Sequence, residues 1–240
     1  MPLSPKARAD AQLMIAELER RRASKFYQYF PDTGPFRREL YGKFLEFFAA
    51  GSQHRERLLM AANRVGKTMA GAYEDVCHLT GKYPPWWVGR RFALPIDAWI
   101  AGDTSKTTRD ILQTAILGPP GQPSLQGTGM LPAHLVIDTT PKQGIPDAIE
   151  TVFVRHSSGG VSTCTFKSYD QRREAFQGTA KHLIHLDEEV DDGIYTECLL
   201  RTMETSDFAG GLVILTFTPL MGMTPLILTF LPTGKLETAA

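Results

Sequence analysis

Apolar residues recur at helical spacing from 4 to about 25, where Ala7, Ala11, Met14, Ile15 and Leu18 form one stripe and Lys, Arg, Asp and Glu fill the other face. An amphipathic helix is expected there. Asp32-Thr33-Gly34-Pro35 breaks the chain, a second helix is expected over 37–50, and Gly51 stands where a glycine C-cap would end it. The period then changes. An apolar run of strand length covers 57–62 and leads through a polar turn into a helix-compatible stretch ending near Leu79. The alternation recurs with a strand over 98–101 and a helix over 107–117, followed by a Pro/Gly-rich loop over 118–129. Strands are expected over 134–139, 149–155 and 161–169, the last two joined as a hairpin through Ser157-Ser158-Gly159-Gly160. A strand over 182–186, a helix over 193–203 and a strand over 211–218 complete the pattern. Strands alternating with helices predict an α/β fold built on a mainly parallel, doubly wound sheet.

The chain has 240 residues, about 1.6 times the ~150 typical of one domain, which suits one large domain or one domain with a small appendage. It carries 26 basic and 26 acidic side chains. That balance excludes a polybasic arm or acidic tail but not a local basic groove for nucleic acid. Cys77, Cys164 and Cys198 are odd in number and in no CxxC pattern, so they read as small buried residues in a reducing compartment. No stretch reaches the roughly 18 apolar residues of a membrane span, and the amino terminus lacks a secretory apolar core. A soluble protein with no membrane partner is expected.

Ala61-Ala62-Asn63-Arg64-Val65-Gly66-Lys67-Thr68 follows the first strand and opens a helix, the context a phosphate-binding loop requires. In such a loop backbone N–H groups face the phosphates, Lys67 brings a positive charge to the β- and γ-phosphate oxygens, and the Thr68 hydroxyl is offered to Mg²⁺. Gly66 allows a close approach where a Cβ would intrude. Ala61 stands where the GxxxxGK[ST] pattern has glycine. Taken alone, Gly-Lys-Thr also fits an ordinary strand-to-helix turn, so a second motif has to decide.

The second motif is His182-Leu183-Ile184-His185-Leu186-Asp187-Glu188, an apolar strand ending in two carboxylates. An Asp beside a phosphate loop can hold the Mg²⁺ shell, and an adjacent Glu can deprotonate the attacking water, so Asp187 is the metal candidate and Glu188 the candidate base. Glu189, Asp191 and Asp192 read instead as a solvated acidic turn before a helix. His182 and His185, three apart on a strand, point to opposite faces and do not chelate one ion, so packing roles are expected.

These residues, together with the run 168–181 ahead of the acidic strand end and Leu215-Thr216-Phe217-Thr218-Pro219-Leu220 after it, resemble the ATPase domain of the large terminase subunit of tailed bacteriophages. The resemblance runs from about Tyr29 to the end of the chain. It implies a P-loop ATPase of the additional-strand, catalytic-glutamate class that uses ATP and Mg²⁺ to drive double-stranded viral DNA into a procapsid. The implied partners are the portal protein, the small terminase subunit and further copies of the chain in a ring, in the cytoplasm of the infected host. A helicase-like ATPase and a non-hydrolysing nucleotide-dependent assembly module are the alternatives.

The resemblance also implies that Thr216, Phe217 and Thr218 form the motif coupling nucleotide state to DNA movement. A hydroxyl-bearing strand end is a reasonable γ-phosphate sensor, although an ordinary strand terminus before Pro219 also accounts for it. Arg64 matches the basic residue that such ATPases place in the loop as an arginine finger, one position later than in relatives. Arg172 and Arg173 compete as fingers reaching a neighbouring subunit. Arg37, Arg38, Tyr41 and Phe44 fall where relatives contact adenine, though helix packing also explains the two aromatics. Trp86 and Trp87 are expected as core anchors rather than a stacking platform for nucleic acid. Residues 1–52 are expected as a helical lead-in and 53–240 as the ATPase core. The length leaves no room for the nuclease domain that large terminases carry, so a fragment without cleavage activity is expected.

Overall fold

The computed structural model describes Lys6, Arg8, 10–15, 24–205, 209–220 and 222–231. Lys6, Arg8 and 10–15 are helical, and residues 4, 5, 7, 9 and 16–23 of the first expected helix lie outside the described residues. Seven strands form one sheet: β1 (Glu56–Met60), β2 (Asp97–Gly102), β3 (Val136–Pro141), β4 (Ile149–Arg155), β5 (Val161–Ser168), β6 (Leu183–Asp187) and β7 (Leu212–Phe217). Their order is β1-β7-β6-β2-β5-β4-β3. The first five in that order are parallel, and β5, β4 and β3 form an antiparallel meander. The expected hairpin is present, His156 donating its N–H to Gly160 O at 2.9 Å. β7 lies between the phosphate-loop strand β1 and the acidic strand β6, the arrangement that defines the additional-strand class.

Helices cover both faces. They are α1 (Gly42–Ala50), α2 (Lys67–Thr80), α3 (Ser105–Thr107, a π turn Thr108–Gln113, then Thr114–Leu117), α4 (Asp192–Arg201) and α5 (Pro225–Thr229). Because side chains alternate across a strand, β2, β6 and β7 feed two separate cores. Ala98, Ile100, Leu183, Leu212 and Ile214 join the core under α2. Trp99, Ile184, Leu186, Val213, Leu215 and Phe217 join the core under α4.

Several boundaries differ from those expected. The second helix opens as a 3₁₀ turn, Arg38–Tyr41, before α1. Gly51 is not a left-handed cap, since its φ is −62°. Its lack of a side chain serves space, because a Cβ there would meet Arg57 Cζ at 2.9 Å. The left-handed glycine cap is at the end of α2, where Gly81 has φ 64°. Residues Ala133–Leu135 form a 3₁₀ turn rather than the start of a strand.

The segment before β1 packs onto the same core as α2. Phe30 meets Tyr73 edge-on at 4.9 Å, and Phe48 stacks on Trp87 at 5.1 Å. Trp87 is buried and Trp86 packs against it, so both tryptophans anchor the core as expected. The three cysteines are free and buried. Among the described residues no helix is long and apolar enough to cross a membrane.

Candidate nucleotide site

The loop 61–66 connects β1 to α2 at the carboxyl end of the parallel strands, where open α/β sheets place their ligands. Two of its residues are left-handed, Gly66 (φ 97°) and Arg64 (φ 63°). Glycine adopts that conformation freely and arginine at a cost, so the loop stores strain at Arg64. Arg64 is exposed. The Phe44 ring lies against the loop, since a Cβ on Gly66 would sit 3.7 Å from its edge. Phe44 also stacks on Tyr41, and both pack on the core. Arg38 pairs with Asp32 and lies 5.5 Å from the Trp86 ring, and Arg37 pairs with Glu39.

Lys67 and Thr68 open α2 and meet two other strand ends. Lys67 Nζ donates to Ala62 O at 2.9 Å and to Thr218 Oγ1 at 2.7 Å. That hydroxyl also lies 3.0 Å from Ala61 O and 2.8 Å from Asn63 Oδ1. Thr68 Oγ1 is 3.1 Å from both carboxylate oxygens of Asp187. A hydroxyl and a carboxylate in contact form a hard oxygen donor set of the kind Mg²⁺ prefers. Thr216 and Thr218 flank Phe217, whose side chain is buried in the opposite core. Only the two threonines of that motif reach the site.

Strand β6 ends at Asp187, and Glu188 turns left-handed with φ 72° while its N–H donates to Thr216 O at 3.0 Å. The turn removes Glu188 from the pleat, so it need not face the core opposite Asp187. Partial desolvation first, and then Asp187 and Asp103, push the Glu188 carboxyl above its usual range against the pull of Lys67. The Tyr169 hydroxyl donates to Asp187 O at 2.9 Å, with Glu188 O 3.2 Å away, and so pins the strained turn from behind.

Of the two arginines after β5, Arg173 is tied to Glu197 of α4 at 3.1 Å. Arg172 is exposed and left-handed with φ 61°. Glu197 is buried and also pairs with Arg201. In the acidic turn, Asp191 caps α4 by accepting from Gly193 N at 2.8 Å.

Sequence reasoning missed four residues here. Asp103, just past β2, lines a cavity of about 160 Å³ with Gly102, Asp187 and Glu188. Its signal was legible, since an acidic residue directly after a parallel strand lies at the ligand end of the sheet. Tyr169, just past β5, shared only the position at that end of the sheet. Asp75 had no signal, and His185, expected in a packing role, makes buried hydrogen bonds instead because its strand position puts both ring nitrogens against polar groups of α2 and β7. His185 is fully buried, with Nδ1 2.7 Å from Asp75 Oδ2 and Nε2 2.8 Å from Thr216 Oγ1. The His182 ring accepts from Asp97 N–H at 3.1 Å.

Comparison with known proteins places this geometry in a family. Residues 58–235 match the family model described as terminase large subunit, T4likevirus-type, N-terminal. The large terminase subunit of Salmonella phage P22 is 36% identical over a 208-residue alignment that covers 80% of this chain and 41% of that protein. The chain therefore spans less than half the length of that relative. Among solved structures, the large terminase ATPase domain of Thermus phage P74-26 is 17% identical over 74% of this chain and 68% of its own, with a TM-score of 0.42. The large terminase of another thermophilic bacteriophage, in complex with ADP, is 15% identical over 73% of this chain and 37% of its own, with a TM-score of 0.43. At that level the structural likeness adds nothing to the strand order, and it is the match over 58–235 that decides: the chain belongs to the terminase large subunit family.

Proposed function

We propose that this chain is the ATP-hydrolysing motor domain of a viral DNA-packaging terminase, with 53–240 as the catalytic core and 1–52 as its lead-in. One observation carries the reading: adjacent residues at the start of α2 reach two other strand ends, Lys67 meeting Thr218 at 2.7 Å and Thr68 meeting Asp187 at 3.1 Å. In this reading the loop 61–66 wraps the phosphates of ATP with the backbone N–H groups of Ala62, Asn63, Arg64, Val65 and Gly66, the Ala61 N–H being taken by Phe217 O at 3.4 Å, and Lys67 offsets their charge. Thr68 and Asp187 would hold Mg²⁺, which when bound neutralises charge on the β- and γ-phosphates. Glu188 takes the proton of the water that attacks the γ-phosphorus, the bond to the bridging oxygen breaks, and ADP and phosphate leave. Arg64 is the candidate for stabilising charge as it develops, ahead of Arg172 and of the already paired Arg173.

Coupling follows from the contact between Lys67 and Thr218. A phosphate at Lys67 competes with the Thr218 hydroxyl for the same ammonium hydrogens, so nucleotide state bears directly on the end of β7. That makes Thr216-Phe217-Thr218 a physical link between the site and whatever the far end of the motif moves. The partners proposed on family membership are double-stranded viral DNA, the portal protein, the small terminase subunit and other copies in a ring, in the host cytoplasm.

Phosphate release and nucleotide binding test the assignment. Lys67→Ala is expected to lose binding and turnover together, and Glu188→Gln to keep binding while turnover falls by about 10²–10⁴. Unchanged turnover in both variants overturns the site. Stimulation by duplex DNA, portal and small subunit supports the packaging role. Stimulation by single strands alone favours a helicase-like ATPase, and binding without turnover favours an assembly module.

A further inference from the structure

A continuous chain of buried polar groups runs from the middle of α2 back to its first turn by way of the sheet. Asp75 on α2 meets His185 on β6 at 2.7 Å, and His185 meets Thr216 on β7 at 2.8 Å. Thr216 meets Asp187 at 2.5 Å, and Asp187 meets Thr68 at 3.1 Å. Asp75, His185 and Thr216 have no exposed surface and Asp187 is 4% exposed. Sheet register dictates the arrangement. His185 and Asp187 are two apart and share the α2 face, and Thr216 is the cross-strand partner of Asp187.

Hydrogen counting fixes the direction of these bonds. The Thr216 hydroxyl has one hydrogen and lies between Asp187 Oδ1 and His185 Nε2. An ionised Asp187 only accepts. If Thr216 gave its hydrogen to Nε2, two acceptor oxygens would face each other at 2.5 Å with nothing between them. The hydrogen therefore points to Asp187, and Nε2 carries the proton that donates to Thr216. One further proton lies between Nδ1 and Asp75 Oδ2, whichever of the two atoms holds it, so Asp75 secures the orientation of the ring.

Two features of the sequence make sense only on this arrangement. Gly71 interrupts α2, where glycine costs about 1 kcal/mol relative to alanine, and a Cβ there would lie 2.3 Å from the His185 ring. The glycine makes the space that the imidazole fills. Asp75 Oδ1 is buried and makes no hydrogen bond among the described residues, an unfavourable placement that an apolar residue would avoid.

We infer that His185, oriented by Asp75, is a positioning residue that holds the Thr216 hydroxyl as a donor to Asp187 and thereby orients the carboxylate for the nucleotide-bound magnesium ion. The inference rests on the functional reading above in assigning Asp187 to the metal. It assigns to Thr216 a role distinct from signalling along β7, and it gives the strand and helix motifs a shared support that neither contains.

The test is the Mg²⁺ dependence of binding a fluorescent ADP by the full chain, alongside binding in EDTA. Thr216→Val, nearly isosteric, and His185→Leu are expected to raise the Mg²⁺ concentration at half-effect by about 10-fold, the lower end for lost support of a metal ligand. Binding in EDTA is expected to stay within about twofold of wild type. Thr216→Ser and His185→Gln, which keep a hydroxyl and an N–H donor, are expected to recover most of the effect. The double variant Thr216→Val/His185→Leu is expected to be no worse than Thr216→Val, because the histidine acts through the hydroxyl. An unchanged Mg²⁺ dependence in folded Thr216→Val overturns the inference. So does equal weakening with and without Mg²⁺, which is what a merely structural role produces. If His185→Leu does not fold, His185→Gln decides the histidine's part: it is expected to stay near wild type, and a shift of about 10-fold in it overturns that part. Failure of wild type itself to bind ADP overturns the functional reading instead.

Discussion

The sheet's two faces are made from the same strands by the same alternation, yet the face under α4 is closed by apolar side chains of those strands and the face under α2 is threaded with ionisable ones. Ile184, Leu186, Val213, Leu215 and Phe217 point one way; His185, Asp187 and Thr216, interleaved with them, point the other. On α2 itself Lys67, Glu74, Asp75 and His78 are all buried. Apolar packing is tolerant and needs only volume and pattern. Buried polar groups are useful only when every partner is in place, and then they fix geometry that apolar contacts leave loose. The face that carries the loop 61–66, the proposed nucleotide site, is the one that needs fixed geometry.

A second buried cluster on that face clamps the two elements flanking the loop. Arg57 on β1 meets Glu74 on α2 at 2.7 Å, and Arg57 also donates to Phe47 O at 2.7 Å. His78 reaches Glu74 at 3.2 Å, and its ring meets Tyr83 Oη at 2.9 Å. Burial alone would raise the Glu74 carboxyl, but Arg57 and His78 together outweigh it and hold it at about 2.

The largest effect is expected for Arg57→Leu, which strands Glu74 in the core and should cost about 3–5 kcal/mol in denaturant unfolding. Arg57→Leu/Glu74→Leu is expected to cost less than Arg57→Leu alone, because no charge is then left unpaired. A smaller effect is expected across the sheet, where Ile184→Ala should cost about 3 kcal/mol by leaving a cavity. While folded, that variant is expected to keep the wild-type Mg²⁺ dependence of nucleotide binding. A shift there would show that the two faces are not independent. The mildest probe is pH. The Glu74 carboxyl is depressed in the folded chain from its usual 4.5 to about 2, so its stabilisation is present above about pH 4.5 and is lost as pH falls toward 2. Glu74→Gln is expected to flatten the fall in unfolding midpoint between about pH 5 and pH 3, with both series taken in one buffer system.

Much of the site was legible before the fold. Gly66-Lys67-Thr68 after an apolar run and Asp187-Glu188 at the end of another are local patterns whose chemistry follows from residue type and from the strand or helix that carries them. Trp86 and Trp87 were legible as core anchors because large aromatic area favours burial. Gly51 was misread because a glycine after a helix signals either a left-handed turn or lack of space, and only the approach of the Arg57 guanidinium distinguishes them. Arg173 read as a candidate finger toward a neighbouring subunit, but α4 brings Glu197 to it.

By itself, then, the sequence determined the alternation of strand and helix, the phosphate loop and the acidic strand end, because each is set by neighbours a few residues away. Tertiary structure decided which strand lies between the two motifs, that Glu188 leaves the pleat, and that Asp75, His185 and Thr216 meet. Those contacts span 110 and 31 positions of chain. They depend on sheet register and on a glycine that leaves room for a ring on another element, and no local pattern carries that information.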